Sequence, residues 1–321
     1  MITLQSAHVE RFAVDGAFII SRGEKTDVDV VVCEVTDGTH VGRGEGTPIY
    51  YEGETAELCV EAINMRCKQN RPLSREDLLD SMMEGAARNA LDCALWDLES
   101  KQTGKPVWEL AGLPEPKPLV TAYTISLGEP EVMEADARKA AETYALLKVK
   151  LNGENDRARV AAVRVGAPNA RIIVDANEAW DELDIVSEAM AMHELGVELI
   201  EQPVSAGFED ELMGVETPMP LCADESCHTS EDIERVEDCF QVINVKLDKT
   251  GGLTEALRLV EKAKEADMGI MVGCMLSTSL AIGPAFALAQ VANWADLDGP
   301  ALLKKDREGG FKFEGGMISQ G

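Results

Sequence analysis

The sequence of 321 residues is poor in several features, and each shortage removes a class of function. Basic residues number 30 against 58 acidic ones, and the formal charge of −28 argues against a polyanionic partner, so no nucleic-acid role is expected. No apolar run reaches the length of a membrane span. The longest, Ser279 to Ala292, carries Pro284 and Gln290, and Met1 to Glu10 shows no apolar signal region. A soluble, cytoplasmic protein with no membrane partner is expected. The cysteines Cys33, Cys59, Cys67, Cys93, Cys222, Cys227, Cys239 and Cys274 include no C-x-x-C pair, which fits reduced thiols better than disulfides or zinc. A phosphate-binding glycine loop is missing too. Gly42-Arg43-Gly44-Glu45-Gly46 follows a strand, but Thr47-Pro48-Ile49-Tyr50 cannot open the required helix, so a hairpin and loop are expected there.

What is present is a composition 45% hydrophobic, enough for one large core or two unequal ones. From residue 119 onward, β-branched or apolar runs recur: Leu119–Thr124, Leu146–Leu151, Arg171–Asp175, Val197–Glu201, Met219–Ala223, Gln241–Lys246, Gly269–Gly273 and Val291–Asp296. Helical patterns separate most of them: Glu131–Tyr144, Asp156–Val165, Ile185–Leu195, Ser230–Glu237 and Leu253–Ala266. Strand, helix, strand at about two dozen residues predicts parallel βα units closing into a barrel, with chemistry at the C-terminal strand ends. No convincing helix follows Asp298-Gly299-Pro300, so the prediction is seven helices around eight strands.

Residues 1–113 read as an α+β cap, with strands at Ile2–Phe12, Asp27–Glu34 and His40–Gly44 and helices near Glu54–Gln69 and Glu84–Lys101. Pro114, Pro116 and Pro118 mark the passage to a barrel domain over 114–300, and residues 301–321 are expected to return to the cap.

The predicted strand ends carry Lys148 and Lys150, then Asp175, Glu201, Asp224 and Lys246, at spacings of 25, 26, 23 and 22 residues from Lys150. Any one of these charges alone reads as a solvated loop edge. Together they do not, because barrel closure sets the three carboxylates side by side, where they repel unless a cation sits among them. An all-oxygen set without His or Cys selects a hard cation and favours Mg²⁺, which Mn²⁺ can replace. Lys148 and Lys150 share one face of their strand, and Lys246 comes from across the barrel. Two lysines on opposite sides of a metal-bound carboxylate are what a 1,1-proton transfer needs.

These residues resemble the enolase superfamily, in its muconate-lactonising subgroup, and within it the dipeptide epimerases. Lys148-Val149-Lys150, Val174-Asp175-Ala176-Asn177, Glu201-Gln202-Pro203, Ala223-Asp224-Glu225-Ser226 and Asn244 to Gly252 are similar to the family's motifs, as is Ala86 to Asp97 of the cap. The resemblance implies a modified (β/α)7β TIM-type barrel with an α+β capping domain. It implies Lys150 and Lys246 as the acid/base pair, Lys148 as an electrostatic partner near the metal and the substrate carboxylate, and Asp175, Glu201 and Asp224 as ligands of one Mg²⁺, with Asn177 and Glu225 supporting them. Lys249 lies in a matched segment but beyond the strand, and is expected to be solvated. His8, His40, His193 and His228 match no catalytic position.

Asp296-Leu297-Asp298 resembles the D-x-D pair with which dipeptide epimerases hold a substrate's free ammonium; a solvated turn before Gly299-Pro300 is the plain alternative. Arg22, in a cap loop, can pair with a glutamate side-chain carboxylate or be ordinary surface charge. Thr124, Cys274 and Met275 are weaker candidates for substrate contact. The expected substrate is L-Ala-D/L-Glu, in murein peptide recycling, and the expected assembly a homo-oligomer. Muconate cycloisomerase and o-succinylbenzoate synthase share fold, metal and lysines, but an acidic pair at the mouth would repel their dianionic substrates. A noncatalytic metal-dependent binding barrel would not need both lysines.

Overall fold

The computed structural model describes residues 1–69 and 71–321. It begins with an antiparallel sheet in the order β1 (Thr3–Ile20), β2 (Gly23–Thr36), β3 (Val41–Gly46). Strand period decides how β2 is buried. Val31, Cys33 and Val35 face the cap helices, whereas Val28, Val30 and Val32 face Leu276, Leu302 and Leu303. The sheet is therefore a middle layer with an apolar core on either side. Both strands of the β1–β2 hairpin run further than their apolar patterns suggest, across a register shift between Ala13 and Phe18, and turn at Ser21-Arg22.

Gly42–Gly46 lies in β3, the second strand of a hairpin with β2, and a loop follows at Thr47–Ile49. A Cβ at Gly42, Gly44 or Gly46 would collide with the carbonyl oxygens of Ala94, Ala90 and Ala86, so the glycines let a helix lie directly on the sheet. That helix is α3 (Ala86–Thr103), preceded by α1 (Ala56–Cys67) and α2 (Arg75–Ser81) and followed by the short α4 (Val107–Leu110). Thr55 and Ser74 cap the first two, accepting from the amides of Leu58 and Asp77.

After β4 (Leu119–Val120) come the barrel strands and their helices: β5 (Ala122–Ile125), α5 (Pro130–Ala140), β6 (Leu146–Lys150), α6 (Asp156–Gly166), β7 (Arg171–Asp175), α7 (Ile185–Glu194), β8 (Val197–Glu201), β9 (Leu221–Ala223), α8 (Ile233–Val236), β10 (Val242–Lys246), α9 (Leu247–Thr250), α10 (Leu253–Glu265), β11 (Gly269–Gly273), α11 (Ser279–Ala289) and β12 (Trp294–Asp296). Strands β5 to β12 form one parallel sheet in chain order. Only a 3₁₀ turn, Glu209–Leu212, occupies the β8–β9 connection. The seam between first and last strands is stapled by side chains: Thr124 N donates to Asp298 Oδ2 at 2.7 Å, and Leu297 N to Thr121 Oγ1 at 2.8 Å.

Inside the barrel, Ala122, Leu146, Ile173, Leu199, Cys222, Val242 and Met271 fill the floor. Two residues further along each strand, the same inward face carries Thr124, Lys148, Asp175, Glu201, Asp224 and Asn244. The polar layer thus rests on a packed apolar one.

The predicted strand Leu119–Thr124 is split at Thr121, because Leu119–Val120 pairs instead with β14 (Met317–Ser319), the partner of β13 (Lys312–Glu314). The C-terminal segment touches the cap first, through Lys304 N to Ala13 O (2.8 Å) and through Arg307, which lies 2.7 Å from both Glu10 Oε2 and Glu45 Oε2. It then ends on β4.

Candidate active site

At the C-terminal strand ends, Asp175, Glu201 and Asp224 are buried and offer oxygen atoms that all lie within 4.8 Å of one another. Lys148 Nζ stands among them, 3.1 Å from Asp175 Oδ2, 2.6 Å from Glu201 Oε2 and 2.9 Å from Asp296 Oδ2. Lys150 Nζ donates to Asp175 Oδ2 at 2.6 Å, and Lys246 Nζ to Asp224 Oδ2 at 2.5 Å. Strand and loop groups around the cluster fix this layer. Asn177 N donates to Asp175 Oδ1 (3.0 Å), Asn244 Nδ2 to Glu201 Oε1 (2.7 Å), and Gln202 Oε1 accepts from Asp224 N (2.7 Å). Asn177, Glu178 and Gln202 adopt φ of 44°, 67° and 37°, so backbone strain is concentrated just past β7 and β8.

The electrostatics call for more positive charge. Burial, reinforced by Asp175 and Asp224, pushes Glu201 up to about 8 despite Lys148. Burial alone would also raise Asp175 and Asp224, but their lysines outweigh it and hold both below the usual carboxylate range. Glu201 Oε2 and Asp224 Oδ1 lie at ion-pair distance from lysines, yet neither accepts a well-aligned hydrogen bond. Three clustered carboxylates with free lone pairs and no His or Cys fit a hard, oxygen-seeking divalent cation.

A cavity of about 70 Å³ lies above this layer. Lys150, Asp224, Lys246, Asn177, Glu225, Cys274 and Met275 reach it from the barrel, and Arg22, Lys25, Tyr50 and Tyr51 from the cap. The tip of the β1–β2 hairpin forms its outer wall. Arg22 fastens that tip. It donates to Glu225 Oε1 at 2.7 Å and to Glu178, and lies over the Tyr51 ring. Lys25 carries the cap's other cation to the cavity, with its ammonium 4.0 Å from the centre of the Tyr50 ring. It has no carboxylate at ion-pair distance among the described residues, and burial lowers its pKa.

Asp296, Asp298 and Thr124 do not line this cavity. Asp296 is turned to Lys148, and Asp298 to the Thr124 amide; both carboxylates are buried, and Asp296 Oδ1 has no hydrogen-bond partner. Burial and the neighbouring Asp296 push Asp298 up to about 7. Lys249 departs from its expected solvated position: it is fully buried, with Nζ 2.6 Å from Asp224 Oδ1. The chain turns back into α9 directly after Lys246 instead of running out as a loop. Gln202, Asn244, Tyr50, Tyr51 and Lys25 were not singled out from the sequence. The inward period of β10 offered a signal for Asn244 alone.

Residues 6–112 match the family model for the mandelate racemase / muconate lactonizing enzyme N-terminal domain, and residues 132–320 match that for the enolase C-terminal domain-like family. The chain belongs to the enolase superfamily. The superfamily member is 38% identical to L-Ala-D/L-Glu epimerase of Escherichia coli K12, over 96% of this chain and 97% of that one. It is 40% identical to an N-acetyl-D-glutamate racemase from a Pseudoalteromonas species, over 90% and 92%. Among solved structures, an enolase-family protein from Agrobacterium tumefaciens with homology to dipeptide epimerases, bound to sodium and L-Ala-L-Glu with an ordered loop, is 47% identical; it superposes with a TM-score of 0.95 over 100% of this chain and 98% of that one. These relatives place the superfamily member among the racemases and epimerases, which are isomerases.

Proposed function

We propose that this enolase-superfamily member is a Mg²⁺-dependent L-Ala-D/L-Glu epimerase that inverts the α-carbon of the C-terminal residue. The observation that carries the reading is the placement of Lys150 and Lys246. They sit on β6 and β10, four strands apart in an eight-stranded sheet, yet reach the same small cavity on either side of the carboxylate cluster. A substrate α-carbon between them loses its proton to one lysine and receives a proton from the other on the opposite face, which inverts the centre. Asp175, Glu201 and Asp224 would hold the Mg²⁺, which would supply positive charge for the substrate's α-carboxylate; Mn²⁺ is proposed to substitute. Lys148, buried beside the cluster, adds a fixed positive charge to the same region.

Substrate identity is read from the walls. The side-chain carboxylate of glutamate is assigned to Lys25 rather than Arg22, because Arg22 is already committed to Glu178 and Glu225 while Lys25 faces the cavity without a carboxylate partner among the described residues. The free ammonium is assigned to Asp296 and Asp298, which lie behind the cavity wall rather than in it; the unpartnered Asp296 Oδ1 and the raised Asp298 support this, since a cation would relieve both. From the E. coli relative's substrate we further propose a role in recycling murein peptides in the cytoplasm.

A second reading, racemisation of an N-acylated glutamate, is favoured by the Pseudoalteromonas relative. N-acetylglutamate shares the two carboxylates and the amide of the dipeptide but lacks the ammonium. An ammonium paired with a partly desolvated carboxylate pair contributes about 2–4 kcal/mol, so kcat/KM for α-proton exchange in D₂O should be roughly two orders of magnitude higher for L-Ala-L-Glu than for N-acetyl-L-Glu. Asp298→Asn should narrow that gap. A preference for N-acetyl-L-Glu would move the assignment to the second reading.

A further inference from the structure

Two trios of lysine, carboxylate and lysine face each other across the mouth. In one, Asp175 Oδ2 accepts from Lys150 at 2.6 Å and lies 3.1 Å from Lys148 Nζ. In the other, Asp224 has Lys246 Nζ at 2.5 Å from Oδ2 and Lys249 Nζ at 2.6 Å from Oδ1. Each trio pairs a lysine that lines the cavity, Lys150 or Lys246, with one that does not, Lys148 or Lys249. Lys249 Nζ also donates to the carbonyl oxygens of Asp224 and of Cys227, the latter at 2.9 Å. The ammonium thus has two carbonyl acceptors and an ion-pair contact with Asp224 Oδ1 in a fully buried pocket, which hold it in place.

The cap helps hold it there. Arg88 of α3 donates to Thr250 O (2.8 Å) and Gly251 O (3.2 Å), and Asn89 donates to Asp248 Oδ1 at 2.7 Å. Gly251 and Gly252, at φ of 65° and 122°, make the tight return that brings this segment against α3. A Cβ on Gly251 would meet Arg88, and one on Gly252 would meet Asp92.

We propose that Lys249 is a positioning residue, which keeps Asp224 aimed at the carboxylate cluster while Lys246 leaves that carboxylate to reach the substrate. This rests on the reading of Lys246 as one of the two proton-transferring groups. A Lys246 ammonium bound to Asp224 is not at the α-carbon, and a buried carboxylate stripped of its only cation is costly. Lys249 removes that conflict. Without it, Lys246 becomes the one lysine at ion-pair distance from Asp224 and is held there more strongly, so Asp224 is less available to a metal and transfer from the Lys246 face slows. A lysine that only balanced charge would act in the opposite sense, because removing a positive charge beside the cluster would tighten Mg²⁺ binding.

The test uses the full-length Lys249→Met protein. Its Mg²⁺ dissociation constant is measured by calorimetry, and its α-proton exchange in D₂O is followed separately for L-Ala-L-Glu and L-Ala-D-Glu. The dissociation constant should rise at least tenfold. Exchange of the isomer that Lys246→Ala abolishes should fall at least tenfold more than exchange of the other. Unchanged or tighter Mg²⁺ binding, or equal loss for both isomers, overturns the proposal. Should circular dichroism show that Lys249→Met does not fold, Lys249→Arg carries the same expectation, since it keeps the charge but replaces the three-donor ammonium with a planar fork. If the unmodified protein exchanges neither dipeptide, the epimerase reading fails, and the calorimetric comparison still decides the part played by Lys249.

Discussion

Barrel and cap both wall the cavity, with side chains of different kinds. From the barrel come Lys150, Asp224, Lys246 and Glu225, charges locked into ion pairs and set on strand ends or the loops just past them. From the cap come Phe18, Ile20, Tyr50 and Tyr51, with Arg22 and Lys25 at or near the tip of a long hairpin. The strands rest on an apolar floor that cannot shift without opening a void, whereas the hairpin end is joined to the barrel by the ion pairs of Arg22 and by Leu127 N donating to Ile19 O. Groups that must keep their geometry through a reaction sit on the rigid part. Groups placed to recognise a substrate sit on the cap hairpin that overhangs them.

If recognition belongs to the cap, Lys25→Met should raise KM for L-Ala-L-Glu by roughly ten- to a hundredfold, the loss of one charge-assisted hydrogen bond, and leave kcat within a few-fold. L-Ala-L-Gln, which offers no carboxylate to Lys25, should be turned over by the variant as by the parent. Steady-state kinetics on both dipeptides checks this; a kcat falling as far as kcat/KM would erase the division of labour.

The barrel side makes a smaller prediction that needs no substrate. Because Glu201 is raised to about 8, it holds a proton at neutral pH in the metal-free protein, and a cation needs the carboxylate. Binding therefore expels the proton. Close to one proton per Mg²⁺ should be released between pH 6 and 7 and almost none above pH 9, and affinity should weaken by up to tenfold per unit as the pH falls below 8. Calorimetry in buffers of different ionisation enthalpy measures this directly. No release at pH 7 would mean that the lysines alone keep Glu201 ionised.

The same contrast governs what could be read in the sequence. Asp175, Glu201, Asp224 and Lys246 announced themselves because a parallel barrel repeats at a nearly fixed interval, and a charge closing an apolar run stands out against it. Lys249 did not, since nothing in Leu247–Thr250 says that the chain curls into a helical turn under the mouth rather than leaving it. Helix α11 was passed over because Ser279–Ala289 is apolar on nearly every side and has no amphipathic period to detect. The cap hairpin was read short because the alternation of its first strand breaks at Asp15-Gly16, where the register shifts, and its return strand opens with the polar Glu24-Lys25-Thr26. Choosing between Arg22 and Lys25 needed Glu178 and Glu225, which approach Arg22 from barrel loops more than 150 residues away. Local pattern carries strands and strand ends; it does not carry which long side chain meets which.

The central claim is that Lys150 and Lys246 act on opposite faces of one α-carbon. Lys150→Ala and Lys246→Ala, each saturated with Mg²⁺, are incubated in D₂O with L-Ala-L-Glu and with L-Ala-D-Glu, and deuterium at the glutamate α-carbon is followed by NMR. Neither variant should interconvert the isomers, since a missing general acid or base costs about 10²–10⁴ in rate. Each should still exchange the α-proton of one isomer, and the surviving isomer should be opposite in the two variants. Exchange of the same isomer in both, or of both isomers in either, would contradict the account.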